Sequence, residues 1–366
     1  MNNYLKLTFS FFTLIAITFS ANTISQEVEE VVVTATKKEE STQDIAVSIT
    51  AITADQLAAD QIYDLQDLAE IVPGFGVAKG IGSGSGFVMR GIGSYGVGAA
   101  VVSSIVTSIN GHSVNPSIMN DMGFMDLERI EVLNGPQGTL FGRNSVAGVI
   151  NLVTARPTGE FEGYVDYESG NYDKETIKGA VNMPISDTVR ARLAFMTNTR
   201  DGMVENTTNG NKMDDRNDQA VRLSLDWDIN DVTELKFTYS GQKSNDNRPQ
   251  EEISYCQQDP FFGCSPWERG TPNTAADSRG IGAGLFSFIA ALYPGTIQND
   301  YRFSPTTAEL NKLAIDREPT HVQDIEFSNL ELVRELNDNL TMTAKYSYET
   351  RRFQQMNDND GSTSLA

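Results

Sequence analysis

Two hydropathy patterns divide the chain. From about Gly159 onward, apolar and polar side chains alternate with period two, the spacing of strands whose two faces meet different surroundings. Phe161, Gly163, Val165 and Tyr167 fall on one face, and Glu162, Tyr164, Asp166 and Glu168 on the other. Val189, Ala191, Leu193 and Phe195 oppose Arg190 and Arg192. Val221, Leu223, Leu225 and Trp227 oppose Arg222, Ser224, Asp226 and Asp228. Leu235, Phe237 and Tyr239 oppose Glu234, Lys236 and Thr238. Leu340, Met342, Ala344, Tyr346 and Tyr348 oppose Thr341, Thr343, Lys345, Ser347 and Glu349. About seven strands are predicted on this basis. Aromatics near the strand ends fit a transmembrane β-barrel, apolar to lipid and polar to the lumen; a soluble sandwich gives the same alternation. The connections help to separate the two. They are tight at 184–187, 230–231 and 337–339, and long at 199–217 and 243–321, which is the asymmetry of an outer-membrane barrel. The last strand, 339–352, ends as an open edge, which cannot face lipid, so further strands are expected beyond Ala366.

Residues 42–157 follow a different pattern, that of a mixed α+β domain. Thr53 with Gln56 three residues on has the form of a capping box. Leu65, Leu68 and Ile71 share one helical face, stopped by Pro73-Gly74. Short strands broken by glycine follow: "GFVMRG", "VVSSIVTSINGHSV", "RIEVLNG" and "GVINLVT". Asn110-Gly111 is a hairpin-type turn.

The N-terminus supplies an address. Lys6, the apolar run 7–19 and the small residues Ser20 and Ala21 predict a secretory signal peptide over about 1–25. Next comes "EEVVVTATKKEE", a β-branched strand-former at Val31, Val32, Val33, Thr34 and Ala35 with no second strand within hairpin distance. Such a segment is an aggregation hazard unless it is kept for pairing with another sheet. Its charged flanks keep it solvated.

Charge and cysteine content then narrow the class. The net charge of −21 argues against nucleic acid. Cys256 and Cys264, close together in an exported chain, are expected to form a local disulfide, with a metal pair as the alternative. The two histidines, His112 and His321, give little support to a metal or haem site. No nucleophile, base and orienting group are arrayed for catalysis, so no enzyme is predicted and no cofactor. "GIGSYG" at 91–96 fits a dinucleotide fingerprint only in letters, since no βαβ unit encloses it. "GIGSGSG" at 80–86 reads as a flexible loop, and "NDND" at 357–360 as a polar loop without full calcium-loop spacing.

The most specific stretch is 126–157, "DLERIEVLNGPQGTLFGRNSVAGVINLVTARP". It resembles the plug domain of TonB-dependent outer-membrane receptors, whose pattern runs "IEVLRGPQGTLYGR" and then "GGVINIVTKRP". "IVPGFGV" at 71–77 and "MRGIG" at 89–93 are similar to further elements of that family, while "INGHSV" at 109–114 departs from its Asp-Gly-Val turn. The resemblance implies a signal peptide (1–25), a TonB-box segment (26–41), a plug (42–157) and the first part of a transmembrane β-barrel (158–366) with a long extracellular loop at about 243–321. It implies a monomeric barrel in the outer membrane of a Gram-negative bacterium, in contact with lipid. Glu30, Val31, Val32, Val33, Thr34 and Ala35 become the box that binds TonB. Arg90, Gly91, Arg129, Glu131, Gly135, Pro136, Gly138, Gly142 and Arg143 become structural or gating residues of the plug. Arg129, Glu131 and Arg143 are expected to pair with barrel-wall charges, for which Glu162, Asp166, Asp226 and Asp228 point inward, with solvated surface charge as the alternative. Import of a scarce ligand is implied, with ferric siderophores as the commonest cargo. A passive porin or adhesin barrel and a soluble secreted β-sandwich are the alternatives. The first predicts no plug; the second predicts apolar strand faces that meet each other.

Overall fold

The computed structural model describes residues 32–34, 40–41, 47–79, 85–93, 103–114, 123–207, 209–248, 258–259, 263–264, 312–313 and 317–356. The signal-peptide expectation, Cys256, "NDND" at 357–360 and most of the 243–321 loop lie outside these residues. Cys264 enters only as part of the two-residue strand Gly263–Cys264, paired with Gln258–Asp259.

The mixed domain is built on a five-stranded sheet. Its strands are β1 (Ile49–Thr53), β2 (Ile105–Ile109), β3 (His112–Val114), β4 (Leu127–Asn134) and β5 (Gly148–Thr154), in the spatial order β1-β4-β5-β2-β3. Only β5 and β2 run parallel. The others are antiparallel. Asn110 and Gly111 turn β2 into β3 with φ of 51° and 74°, the left-handed pair that a two-residue hairpin requires.

Helices α1 (Ala54–Ala59) and α2 (Leu65–Ile71) lie on one face of this sheet. Thr53 and Gln56 make the predicted capping box at α1. A second box caps α2, where Asp64 accepts from the Gln66 and Asp67 amides and Asp67 accepts from the Asp64 amide. Leu65 and Leu68 then enter a core with Ile52, Ile130, Ile150 and Leu152 of the sheet and with Phe75, Phe87 and Met89. The last three belong to a small sheet containing Phe75–Lys79, Ser85–Met89 and Ile92–Gly93. Arg90-Gly91 is its second hairpin turn, with φ of 51° and 79°. Gly148 is where this layer comes closest to the main sheet: a Cβ there would lie 2.2 Å from Met89 Sδ and 2.3 Å from the Leu133 carbonyl.

The alternating half forms one antiparallel sheet of seven strands in chain order: β6 (Glu162–Gly170), β7 (Lys174–Pro184), β8 (Val189–Arg200), β9 (Arg216–Asn230), β10 (Thr233–Asp246), β11 (Thr320–Asn337) and β12 (Leu340–Met356). The register sorts its side chains into two faces. One row across the sheet is Gly163, Val181, Leu193, Leu223, Tyr239, Ser328 and Tyr348. The adjacent row, on the opposite face, is Tyr164, Ala180, Ala194, Arg222, Ser240, Phe327 and Glu349. This second face carries the mixed domain. Phe327 joins the domain's core, and Met125 packs on Ala180 and Ala194. The apolar row therefore faces away from the protein, as a lipid-facing wall requires and a sandwich does not. No helix among the described residues is long and apolar enough to cross a membrane.

Candidate functional site

The two faces of the five-stranded sheet differ in chemistry. The face carrying Ile52, Ile130, Ile150 and Leu152 is the apolar core. The opposite face carries a polar row, Ala51, Glu131, Asn151, Ser108 and Ser113, directly paired from strand to strand. Glu131, Asn151 and Ser108 are each fully buried, so each needs partners. Ser108 Oγ and the Gly111 amide donate to Asn151 Oδ1 at 2.8 and 2.9 Å, and Asn151 Nδ2 donates to Glu131 Oε2 at 2.9 Å.

The N-terminal segment completes the row. Thr34 donates its amide to Glu131 Oε1 at 2.8 Å and its hydroxyl to the same oxygen at 3.2 Å. Arg129 Nε donates to Oε1 at 2.9 Å, and Arg129 Nη2 donates to Thr34 Oγ1 at 3.3 Å. Val33 is fully buried beside it. Val32–Val33 pairs antiparallel with Glu40–Ser41, which corrects the expectation of no second strand within hairpin distance: the partner lies in the charged flank, whose polar letters carry no strand signal. Among the described residues this pair joins no strand of the five-stranded sheet. Val31, Glu30 and Ala35 lie outside the described residues.

The domain meets the wall elsewhere. Asp126, at φ 49° just before β4, takes a two-pronged contact from Arg192 at 2.8 and 2.6 Å and a bond from the Tyr164 hydroxyl at 3.2 Å. Arg222 donates to the Met125 carbonyl at 2.8 Å. Arg156, just past β5, pairs with Asp226 and donates to Thr238 Oγ1 at 3.1 Å. Burial lowers the pKa of Arg156, and the nearby carboxylates of Glu234, Glu331 and Glu128 oppose that shift; a guanidinium starts so high that it remains charged. Asn182, fully buried, holds Thr158 of the connecting segment through both its side-chain oxygen and its nitrogen.

This corrects the expected pairing of Arg129, Glu131 and Arg143 with the wall. Arg129 and Glu131 are two residues apart on a strand, so they share the face that Thr34 covers. Arg129 pairs with Glu128 and Glu131, inside the same domain, and Arg143 is exposed. Of the inward acidic residues, Asp226 takes Arg156, Asp228 takes Arg190 of the wall itself, and Glu162 accepts from Thr158. Asp126, Arg156, Arg192 and Arg222 were not among the predicted site residues. The available signal was a carboxylate heading a buried strand and arginines on the polar face of wall strands.

The remaining motif residues shape one turn. Gly135 (φ 92°) donates its amide to the Ala147 carbonyl, Pro136 follows, and Gln137 donates to the Ser145 carbonyl. Gly138 opens the four-residue helix α3 (Gly138–Phe141), and Gly142 (φ 72°) ends it. Among the described residues no cluster of three His, Cys, Asp or Glu side chains is placed to hold a metal ion.

Comparison with known proteins agrees with this architecture. The family described as TonB-dependent Receptor Plug Domain matches residues 41–149. An iron-regulated outer membrane virulence protein of Vibrio cholerae is 29% identical over 199 residues, covering 50% of this chain and 30% of that protein. The pesticin receptor of Yersinia pestis is 27% identical over 46% of this chain and 25% of its own length, and a vitamin B12 transporter of Photobacterium profundum is 25% identical over 50% and 30%. The chain thus spans less than a third of these curated relatives. Among solved structures, the ferric yersiniabactin uptake receptor of Yersinia pestis superposes with a TM-score of 0.64 at 17% identity, over 84% of this chain and 41% of that one. The siderophore receptor PiuA of Acinetobacter baumannii gives 0.61 at 16%, over 86% and 38%; at such identities the likeness is one of fold. Residues 41–149 thus match the plug family of TonB-dependent receptors, and the plug with the strands after it is similar in fold to the N-terminal portion of solved outer-membrane receptors of that kind.

Proposed function

We propose that the full receptor imports a scarce ligand across a Gram-negative outer membrane, with TonB engaging Glu30–Ala35 and force on that segment remodelling the plug. The observation that carries this reading is the placement of Val33 and Thr34. A β-prone segment rests on the plug through side-chain bonds to Glu131 while its own strand pairing stops at Glu40–Ser41. It can leave without breaking the central sheet, and its backbone can then add to a partner's sheet edge. A passive pore has no use for either a plug or such a segment.

The cargo we infer is a ferric siderophore, supported by the iron-regulated and siderophore-receptor relatives. Deleting residues 30–35 from the full-length receptor is expected to abolish uptake and leave ligand binding at the cell surface intact. Uptake at the wild-type rate after this deletion overturns the coupling. Growth of a receptor-deficient strain carrying the intact protein is expected to be restored on ferric siderophores. Restoration only on a corrinoid assigns the cargo to the vitamin B12 class instead.

A further inference from the structure

We propose that Glu131 is the positioning residue that parks the N-terminal segment on the plug, and that Asn151 keeps its carboxylate aimed at that segment. The proposal rests on the reading that this segment is the one a periplasmic partner engages, and it adds what holds the segment before engagement.

Three donors converge on one oxygen. Glu131 Oε1 accepts from the Thr34 amide, the Thr34 hydroxyl and Arg129 Nε, at 2.8, 3.2 and 2.9 Å. Oε2 accepts from Asn151 Nδ2 at 2.9 Å. Asn151 is itself fixed, its oxygen accepting from Ser108 Oγ and from the Gly111 amide. The carboxylate therefore cannot rotate away from Thr34 without abandoning Asn151. Arg129 closes the ring by donating to the oxygen of the same threonine. Two of the four bonds to Glu131 come from a residue 97 positions away in sequence.

This asymmetry gives the parked state its preference. A fully buried carboxylate is tolerable while its hydrogen bonds are made, and removing donors from it is costly until water replaces them. Departure of the segment uncovers Glu131 and obliges water to enter the polar row. An apolar residue at 131 leaves Thr34 without its acceptor. A neutral amide there keeps the shape but offers a weaker acceptor than a charged one.

Hydrogen exchange on the full-length receptor in detergent tests this directly. In the unaltered protein the Thr34 amide is expected to be protected. In Glu131→Gln its exchange is expected to accelerate by about tenfold or more, the loss expected when a charge-assisted bond becomes a neutral one. The amides of Ile130 and Val132, which pair within the sheet, should keep their protection, showing that the plug is still folded. Asn151→Ala, which does not touch Thr34, should also speed exchange at Thr34, by a smaller factor. Glu131→Asp, which retains the charge, should recover part of the protection. Unchanged exchange at Thr34 in Glu131→Gln, with the sheet intact, overturns the proposal. If Glu131→Gln unfolds the sheet, Asn151→Ala decides: unchanged exchange at Thr34 there, with Ile130 and Val132 still protected, overturns the proposal. Faster exchange at Thr34 together with normal uptake by the 30–35 deletion would leave the parking role standing and remove the coupling reading.

Discussion

Asp126 shows how much one side chain can hold. Its left-handed backbone, which Asp adopts more readily than most residues, turns its carboxylate from the plug toward the wall, where Arg192 and Tyr164 meet it. Asp126→Asn is expected to lower the unfolding free energy by about 3–5 kcal/mol, because it leaves a nearly buried guanidinium without its counter-charge. Urea titration of the full-length receptor reads this. Arg143→Gln, on exposed surface, should stay within about 0.5 kcal/mol of the parent. Neither outcome follows from the sequence. The i, i+2 spacing of Arg129 and Glu131 already places them on one face, but the segment covering that face begins almost a hundred residues earlier. Asp126 likewise finds its arginine 66 positions downstream. A single sequence shows which side chains share a face and not what comes to cover it.

At the scale of elements the reading was much more complete. Period-two alternation gave the wall strands and assigned their faces, since burial against the plug and exposure to lipid impose opposite demands on successive residues. The tight turns at 184–187, 230–231 and 337–339 fall where two strands meet at each. The Thr53 cap was legible because its partner is the usual Gln. The Asp64 cap was not, because an Asp at the third position departs from the common form. The functional consequence of the two faces is asymmetric tolerance. Leu223→Arg, on the outward row, is expected to cost about 2–4 kcal/mol of folding into lipid. Thr343→Arg, at an exposed position on the opposite face of the sheet, should cost less in the bilayer, and equilibrium folding into vesicles compares the two.

Among the described residues the molecule is a plug fastened to a seven-stranded wall. Among the described residues, β6 pairs only with β7, and β12 only with β11. Such edges are incompatible with a bilayer, so the wall expected in the full-length receptor is a closed one. That receptor should fractionate with membranes and be released by detergent; its recovery in an aqueous wash contradicts a lipid-facing wall. The seven wall strands were legible from alternation, but the plug's place against them was not, because alternation records faces and not what covers them. That place follows from the row of Tyr164, Ala180, Ala194, Arg222 and Ser240 on the face that carries the plug.

The strand order of the plug carries one more consequence, about sequence of dismantling. The covalent path from Thr34 runs into β1, and β1 is an edge strand, bound in the sheet only to β4. Under the coupling proposed above, tension entering at the N-terminus would arrive first at the strand whose loss leaves the other four still laddered together. Ser48, whose carbonyl accepts from the Asn134 amide at 2.9 Å, and then Ile49 are the first bonded residues from that side, so β1 would come away one residue pair at a time, as a zip opens. Asp126 and Arg156, which lie just outside β4 and β5, would meanwhile keep their contacts with the wall. The topology thus separates a tear-off strip from an anchored remainder, and a passage opened that way would have a hinge side and a free side built into the order of the chain.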